Sequence, residues 1–437
     1  MRILLSTKYS LDKPIGSSVI ALRHARMLRE KGHTVAIFCP EEDNQQININ
    51  GTDVFYYAFD RQQNFLFNRC NRLGKSNIKR SLTEFNPDLL YDVHGPTWAI
   101  EEASNFNIPV FSMVGDYNHL CLLNFLVTPK LIRCDGPSSY TKCIRCIKSS
   151  QPLKTRITSV FFKRKFLSSI ITLILGNSRA NRWDYRSAAF EAFTINETIR
   201  NKVKYYIIGD KQAQTIFSKF VDPQKFILNQ QFFPSELQER INMNLKRNSN
   251  DMLIFGYVGS LDSYKGFSIL LKAFLELDNY INIELWVVHK FDATTGNILS
   301  IRSKKAKLKF LVNSHKIKCL NPQNDESLFE IMSNFSIGVI PSIAYETPSQ
   351  VLMELISNSV PVIRSESDGM NHLIQNKING LTYQYDDYLD LAEKIKYVID
   401  NPSVILRWKE NLPILRTQND YYKTLSPYFE SDSIVNK

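Results

Sequence analysis

Glu346 and Glu354 close the stretch Ile340-Pro341-Ser342-Ile343-Ala344-Tyr345-Glu346-Thr347-Pro348-Ser349-Gln350-Val351-Leu352-Met353-Glu354. The residues between the two acids read as the start of a helix. Thr347 has the hydroxyl to cap it, Pro348 suits its first turn and Gln350 completes a capping box. The backbone N–H groups of Ser349, Gln350 and Val351 would then point beyond a buried strand that ends at Pro341. Such a helix start is a ready place for a diphosphate. At a rise of ~1.5 Å per residue, the helical part of the Glu–Glu spacing is roughly 10 Å. That is the reach from a sugar ring, across a diphosphate, to a ribose, and carboxylates at both ends accept hydrogen bonds from both sets of hydroxyls. Taken alone, two such glutamates are the solvated flanks of a helix; the anion-binding context between them sets them apart.

A fixed cation belongs beside a diphosphate. Gly256-Tyr257-Val258-Gly259-Ser260-Leu261-Asp262-Ser263-Tyr264-Lys265-Gly266-Phe267 offers one, as a strand, a glycine turn and then Lys-Gly. A loop lysine is ordinarily solvated, but Lys265 falls at the head of a new series of strands. In the first half, Gly16 lies in a loop between a strand and a helix. His94 and Asp116 each follow a buried strand. Cys121, Cys134, Cys143 and Cys146 form a separate group ending in Cys-x-x-Cys. Four thiolates in one loop region suit tetrahedral zinc; the plain alternative is free thiols.

The elements that would carry these residues alternate. Met1–Ser6 is a buried strand, Val19–Lys31 an amphipathic helix stopped by Gly32, and Thr34–Cys39 the next strand. Leu89–Val93, Pro109–Val114, Lys204–Ile208 and Lys225–Leu228 continue the strands, with helices at Thr97–Asn105 and Gln212–Phe220. Ser235–Asp251 is polar, lacks aromatics and reads as a linker. A second series follows at once. Its strands are Leu253–Val258, Ile281–Val288, Lys316–Leu320, Ser336–Pro341 and Val360–Arg364, and its helices are Phe267–Leu277, Ser327–Asn334, Ser349–Asn358 and Tyr388–Ile399. Strand–helix alternation implies α/β layers with parallel sheets. A chain of 437 residues exceeds one core and suggests two domains. We expect an N-terminal domain over 1–235 and a C-terminal domain over 236–437, with the last helix crossing back to the first.

The net charge of +11 is concentrated in Arg61–Arg80 and Lys154–Lys165. A nucleic-acid partner has only these basic patches in its favour and is set aside. The basic then apolar stretch Phe161–Leu175 suits an anionic membrane surface. No run reaches the ~18–20 apolar residues of a membrane span, and Lys8 breaks the apolar start too early for a signal peptide. A cytoplasmic location, peripheral on the inner face of the membrane, follows as the expectation. Seven cysteines, an odd number, argue against a disulfide framework there.

With these motifs in place, the chain resembles the retaining nucleotide-sugar glycosyltransferases of family 4, which have the GT-B fold. The Pro-Ser, Glu-x7-Glu and Asn358-Ser359-Val360-Pro361-Val362 segments carry the resemblance. So do the glycine turn with Lys265-Gly266, and Ser365–Ile374 followed by Asn379-Gly380-Leu381. Pro87–Gly95 is similar to the family's Pro-Asp-Val-Val-His-x-His stretch, and some members have a cysteine set like this one. Several positions depart from the family, among them Asp368, Asn371 and His372, which replace common Gly, Pro and Glu. Pro348-Ser349 replaces Phe-Gly, Ser260 stands where Arg is common, and Gly115 replaces the histidine of a His-Asp pair, leaving Asp116.

The resemblance implies two Rossmann-like domains facing each other across a cleft. It implies a UDP- or GDP-sugar donor bound by Gly16, Ser260, Lys265, Glu346, Ser349, Gln350, Val351 and Glu354. Glu346, Lys265 and Asp116 would be catalytic, and His94 and Asp116 would lie on the acceptor side. The acceptor would be a glycan or lipid-linked, as in polysaccharide or lipopolysaccharide assembly. Transfer would proceed with retention and need no catalytic metal, leaving zinc only a structural role. Two other readings stay open: a degenerate GT-B protein that binds a nucleotide-sugar or a partner without turnover, favoured by Gly115, Ser260 and Pro348, and a nucleotide-sugar epimerase.

Overall fold

Several strands of this chain are apolar along their whole length rather than alternating, so both of their faces must be covered, as in parallel sheets flanked by helices. The computed structural model describes residues 1–11, 16–41, 52–57, 72–150, 185–234, 237–238, 252–277, 279–289, 316–322, 324–345, 349–366 and 372–430. They divide into two units: Met1–Gln230 with Tyr421–Lys437, and Gln231–Asp420.

The first unit holds a seven-stranded parallel sheet in the order β3-β2-β1-β4-β5-β6-β7. The strands are β1 (Arg2–Ser6), β2 (Thr34–Pro40), β3 (Asp53–Tyr57), β4 (Leu89–Val93), β5 (Val110–Val114), β6 (Tyr205–Ile208) and β7 (Phe226–Leu228). All five residues of β4 and of β5 are buried. Register pairs Ser6 with Asp92 and Val93 with Met113, which brings the C-terminal ends of β1, β4 and β5 level. Helices α1 (Ser17–Glu30), α2 (Arg72–Phe85), α3 (Thr97–Asn105), α4 (Tyr140–Ser150), α5 (Tyr185–Lys202) and α6 (Lys211–Phe217) alternate with these strands.

The second unit repeats the scheme. Its six-stranded sheet runs β10-β9-β8-β11-β12-β13, from β8 (Leu253–Val258), β9 (Ile283–Val288), β10 (Ile317–Leu320), β11 (Ile337–Ile340), β12 (Val362–Ser365) and β13 (Gly380–Tyr383). Every pair in it is parallel. Its helices are α7 (Phe267–Leu275), α8 (Asp325–Ser333), α9 (Gln350–Ser357), α10 (Tyr388–Asp400) and α11 (Val404–Glu410). In both sheets the first strand lies beside the fourth, and there the winding reverses. That switch point, at the carboxyl ends of the strands, is where doubly wound folds bind ligands. It falls at β1/β4 in one unit and β8/β11 in the other.

The last helix, α12 (Gln418–Phe429), belongs from Tyr421 onward to the first unit. Tyr421 is fully buried, with its hydroxyl 3.0 Å from that of Tyr91, which in turn lies 3.1 Å from His24 Nδ1. Asn229 Nδ2 donates to the Tyr421 carbonyl at 3.0 Å, and Phe429 stacks on Phe111. Three buried polar side chains thus satisfy one another, while the aromatic rings fill the face of the sheet.

Strands β3 and β13 do not stand out in the sequence. The expected linker lies, but for residues 237–238, outside the described residues. So do Glu346, Thr347 and Pro348, the basic stretches Lys154–Lys165 and Phe161–Leu175, and residues 61–71 of the first basic patch. Among the described residues no helix is long and apolar enough to cross a membrane.

Candidate functional site

In the second unit the chain leaves β8 through Gly259, whose φ of +151° suits a residue without Cβ. The Ser260 carbonyl accepts from the Tyr257 hydroxyl at 2.5 Å. Ser263–Lys265 makes one 3₁₀ turn, and Gly266 follows at φ +72°. A Cβ on Gly266 would sit on the Pro341 carbonyl. Beside it, the Tyr264 carbonyl accepts from Ile343 N at 2.9 Å and Ala344 N at 3.1 Å. The loop bearing Lys265 is therefore fastened, backbone to backbone, to the loop that leaves β11. The Lys265 ammonium lies 5.9 Å from the centre of the Tyr264 ring.

The β11 loop leads into α9, and here the structure corrects one expectation. The cap is Ser349, not Thr347: Ser349 Oγ accepts from Leu352 N at 3.3 Å, and the helix begins at Gln350. Pro348 thus precedes the cap instead of occupying the first turn. The first-turn N–H groups are those of Gln350, Val351 and Leu352, one position later than the sequence suggested, because the serine hydroxyl reaches the third helical N–H directly. Glu354 is on the same helix, 8% exposed. Ser260, Lys265, Ser349, Gln350, Val351 and Glu354 thus all lie on the two segments that follow β8 and β11, at the switch point. Glu346 lies outside the described residues.

In the first unit three charged or polar side chains follow three adjacent strands: Lys8 after β1, His94 after β4 and Asp116 after β5. Lys8 Nζ pairs with Asp116 Oδ2. Asn118 N donates to Asp116 Oδ1 at 3.0 Å. Burial works against the Asp116 charge, but Lys8, His94 and these hydrogen bonds outweigh it and hold the carboxyl at about 2. Burial pushes the His94 imidazole down to about 4, and Lys8 adds to this while Asp116 opposes it, so the ring is neutral at pH 7. Gly16 opens α1 at φ +52°, and Thr7 Oγ1 and Ser17 Oγ lie 3.1 Å apart at the same strand end.

Sequence reasoning passed over Lys8 and Asp92. Asp92 is wholly buried within β4. Its carboxylate accepts from Ser6 Oγ, Ser112 Oγ and Gly95 N, each at 2.8 Å, and His119 Nε2 lies 3.7 Å away. Burial nevertheless raises its pKa to about 6. This carboxyl ties β1, β5 and the turn carrying His94 together. An acid inside an otherwise apolar strand was the available signal.

Cys121, Cys134, Cys143 and Cys146 line one cavity of about 310 Å³ together with Leu122, Leu126 and Ile147. Burial, reinforced by the neighbouring cysteines, pushes the Cys143 thiol up to about 12 and that of Cys146 up to about 11. The donor set suits zinc. As placed, however, the thiols do not close on one ion: among the described residues no group of three or more His, Cys, Asp or Glu is arranged to hold a metal.

Comparison with known proteins bears on the sequence of the second unit and on the fold. The family described as Glycosyl transferases group 1 matches residues 238–413. The capsular polysaccharide biosynthesis glycosyltransferase CapM of Staphylococcus aureus is 23% identical over 221 residues, 49% of this chain and 54% of CapM. The match thus spans about half the length of that relative. Among solved structures, Anabaena HepE in complex with UDP and glucose superposes with a TM-score of 0.63 at 14% identity, over 98% of this chain and 99% of HepE. WaaG, a glycosyltransferase involved in lipopolysaccharide biosynthesis, superposes with a TM-score of 0.61 at 15% identity, over the whole of both chains. Residues 238–413 thus carry the sequence pattern of the group 1 glycosyl transferases, within a chain whose two parallel-sheet, Rossmann-like units have the GT-B fold.

Proposed function

We propose that this protein is a retaining hexosyltransferase that moves a sugar from a nucleotide diphosphate-sugar to a hydroxyl acceptor in polysaccharide or lipopolysaccharide assembly. The observation that carries the reading is the joining of the Lys265 loop to the segment that leads into α9, through Tyr264, Ile343 and Ala344. It joins the loop that bears a cation to the segment that leads into a helix start, after two adjacent strands. A leaving diphosphate is served by both, since stabilising a developing anion is commonly the largest catalytic contribution. UDP in HepE, and ADP in the catalytic domain of Arabidopsis starch synthase IV, a further structural neighbour, favour a nucleotide donor.

In this reading Lys265 and the N–H groups of Gln350 and Val351 hold the diphosphate, Glu354 holds the ribose and Glu346 the sugar hydroxyls. The bond from the anomeric carbon to the diphosphate oxygen breaks, and the acceptor oxygen bonds to that carbon on the same face. The acceptor proton passes to the departing diphosphate, the base nearest to it on that face. The acceptor site is assigned to the first unit, with Asp116 and His94. The membrane-surface proposal rests on Phe161–Leu175, outside the described residues.

The test is a transfer assay with UDP- and GDP-sugars, comparing wild type with Lys265→Ala and Glu346→Ala. Loss in both variants, with anomeric configuration kept in the product, supports the reading. Selective nucleotide-sugar binding without transfer to any acceptor would favour the non-catalytic alternative. Conversion of the donor sugar itself would favour an epimerase.

A further inference from the structure

Gly115 and His94 occupy one space. A Cβ built on Gly115 would fall on Nε2 and Cε1 of the His94 imidazole. The glycine does more than remove a side chain after β5; it makes room for a ring that arrives from β4. His94 reaches that place at a cost, since its φ of +57° is in the left-handed region that residues with a Cβ avoid. The turn is held by Asp92, which accepts from Gly95 N on one oxygen and from Ser112 on the other. Gly95 is itself confined, because a Cβ there would meet Ser6 Oγ and Asp92 Oδ1. A strained backbone kept at a strand end by three neighbours has been placed rather than tolerated.

The imidazole is 6% exposed, and Nε2 has no hydrogen-bond partner among the described residues. Buried polar atoms are nearly always paired, so one that is not asks for a partner from outside the chain. The surroundings say what kind. Lys8 and Asp116 neutralise each other beside the ring, and the ring is uncharged at pH 7. No net charge is offered to an anion or a cation. A neutral imidazole nitrogen, as donor or acceptor according to tautomer, matches a hydroxyl, which takes either role.

We infer that His94 Nε2 is the hydrogen-bonding group for a sugar hydroxyl at the carboxyl end of β4, and that Gly115 is its permissive partner, the pair forming one functional unit. The inference rests on the proposed sugar transfer and names the residue pair that serves it.

The test uses full-length protein. His94→Gly removes the ring, relieves the left-handed strain and leaves a cavity the size of imidazole. Transfer by this variant should fall about tenfold or more in kcat/KM, the scale of one lost hydrogen bond, and free imidazole should restore part of it. Gly115→Ala, which displaces the ring without touching it chemically, should reproduce the loss. The double variant His94→Gly with Gly115→His, which returns an imidazole to the same space from the neighbouring strand, should recover activity. A structural role for His94 would give none of the imidazole rescue. An active wild type with unchanged kcat/KM in His94→Gly overturns the inference while leaving the proposed transfer standing.

If wild type transfers no sugar, the proposed function fails, and the pair is judged by binding instead. UDP-glucose, UDP and free glucose are compared for thermal stabilisation of wild type and His94→Gly. Loss of the difference between UDP-glucose and UDP assigns the donor's sugar, and loss of stabilisation by glucose alone assigns a separate sugar site. Equal stabilisation of both proteins by all three ligands overturns the inference. In an active enzyme, a raised acceptor KM with unchanged donor KM identifies the acceptor's hydroxyl.

Discussion

Gly266 and Pro341 meet backbone to backbone: a side chain on the first would fall on the carbonyl of the second. Their approach lets Tyr264 accept two hydrogen bonds from the β11 loop and so fixes where Lys265 can be. The lysine is positioned by a glycine it does not touch through its side chain.

Gly266→Ala should therefore damage both the fold and the site. The new methyl meets a carbonyl oxygen, and φ of +72° is unfavourable to alanine. We expect a loss of about 2 kcal/mol or more in urea unfolding and weaker nucleotide binding by calorimetry. Unchanged stability would show that the loop relaxes and that the contact is not needed.

Lys265→Ala and Glu354→Gln should separate kinetically. A cation that acts on charge developing in the leaving group lowers kcat when lost, by about 10²- to 10³-fold. A carboxylate that holds ribose hydroxyls in both ground and transition state raises the donor KM, by about tenfold, with kcat little changed. Steady-state kinetics with a nucleotide-sugar donor distinguishes these, and the opposite pattern would exchange the two roles.

Two buried groups in the first unit give opposite pH dependences. Asp92, raised to about 6 by burial, is protonated in the fold where the unfolded chain is already ionised. Its contribution is fully present below pH 3.8 and is lost as pH rises through 6. It amounts to roughly 3 kcal/mol, about two pKa units. His94, lowered to about 4, makes the fold lose stability as pH falls from 6.5 toward 4. In wild type the two slopes oppose each other. In Asp92→Asn the histidine slope stands alone, and unfolding free energy should rise with pH from 4 to 6.5. Denaturation at several pH values checks this; an unchanged profile would show that Asp92 titrates normally.

The four clustered cysteines make a chemical forecast. With Cys143 and Cys146 held protonated by burial, iodoacetamide should label both slowly in native protein at pH 8. Mass spectrometry of the labelled peptides reads this. Zinc found by metal analysis of the purified protein would instead support the structural zinc expected from the sequence, with the four thiols drawn together around the ion.

Much of the fold was legible because strands of parallel sheets appear as short, mainly apolar runs. Leu89–Val93 and Leu253–Val258 read from the sequence with the bounds they have in the structure. β13 did not, because Gly380 begins it where a Cβ would meet the Val362 carbonyl; a glycine there reads as a turn. Within the candidate site, Lys265 and Glu354 were visible through spacing. The cap was misplaced by two residues because threonine, proline and serine follow one another, and any of them suits a helix start. Lys8 and Asp92 could not be found by spacing at all. Their significance comes from strands β1, β4 and β5 lying side by side, although 86 positions separate Ser6 from the Asp92 it binds.

The tyrosine pair at the end of the chain bears on how the protein is made. The sheet of the first unit is synthesised long before Tyr421, yet Tyr91 and Asn229 each bond to that last helix. A ribosome therefore releases the second unit's sequence while the first still has an uncovered patch of aromatic surface. Domains generally fold as units in order of synthesis; here the earlier one must wait for a helix that follows the second unit, and a nascent chain stalled short of it would expose Phe111 and Tyr205 to any hydrophobic surface nearby.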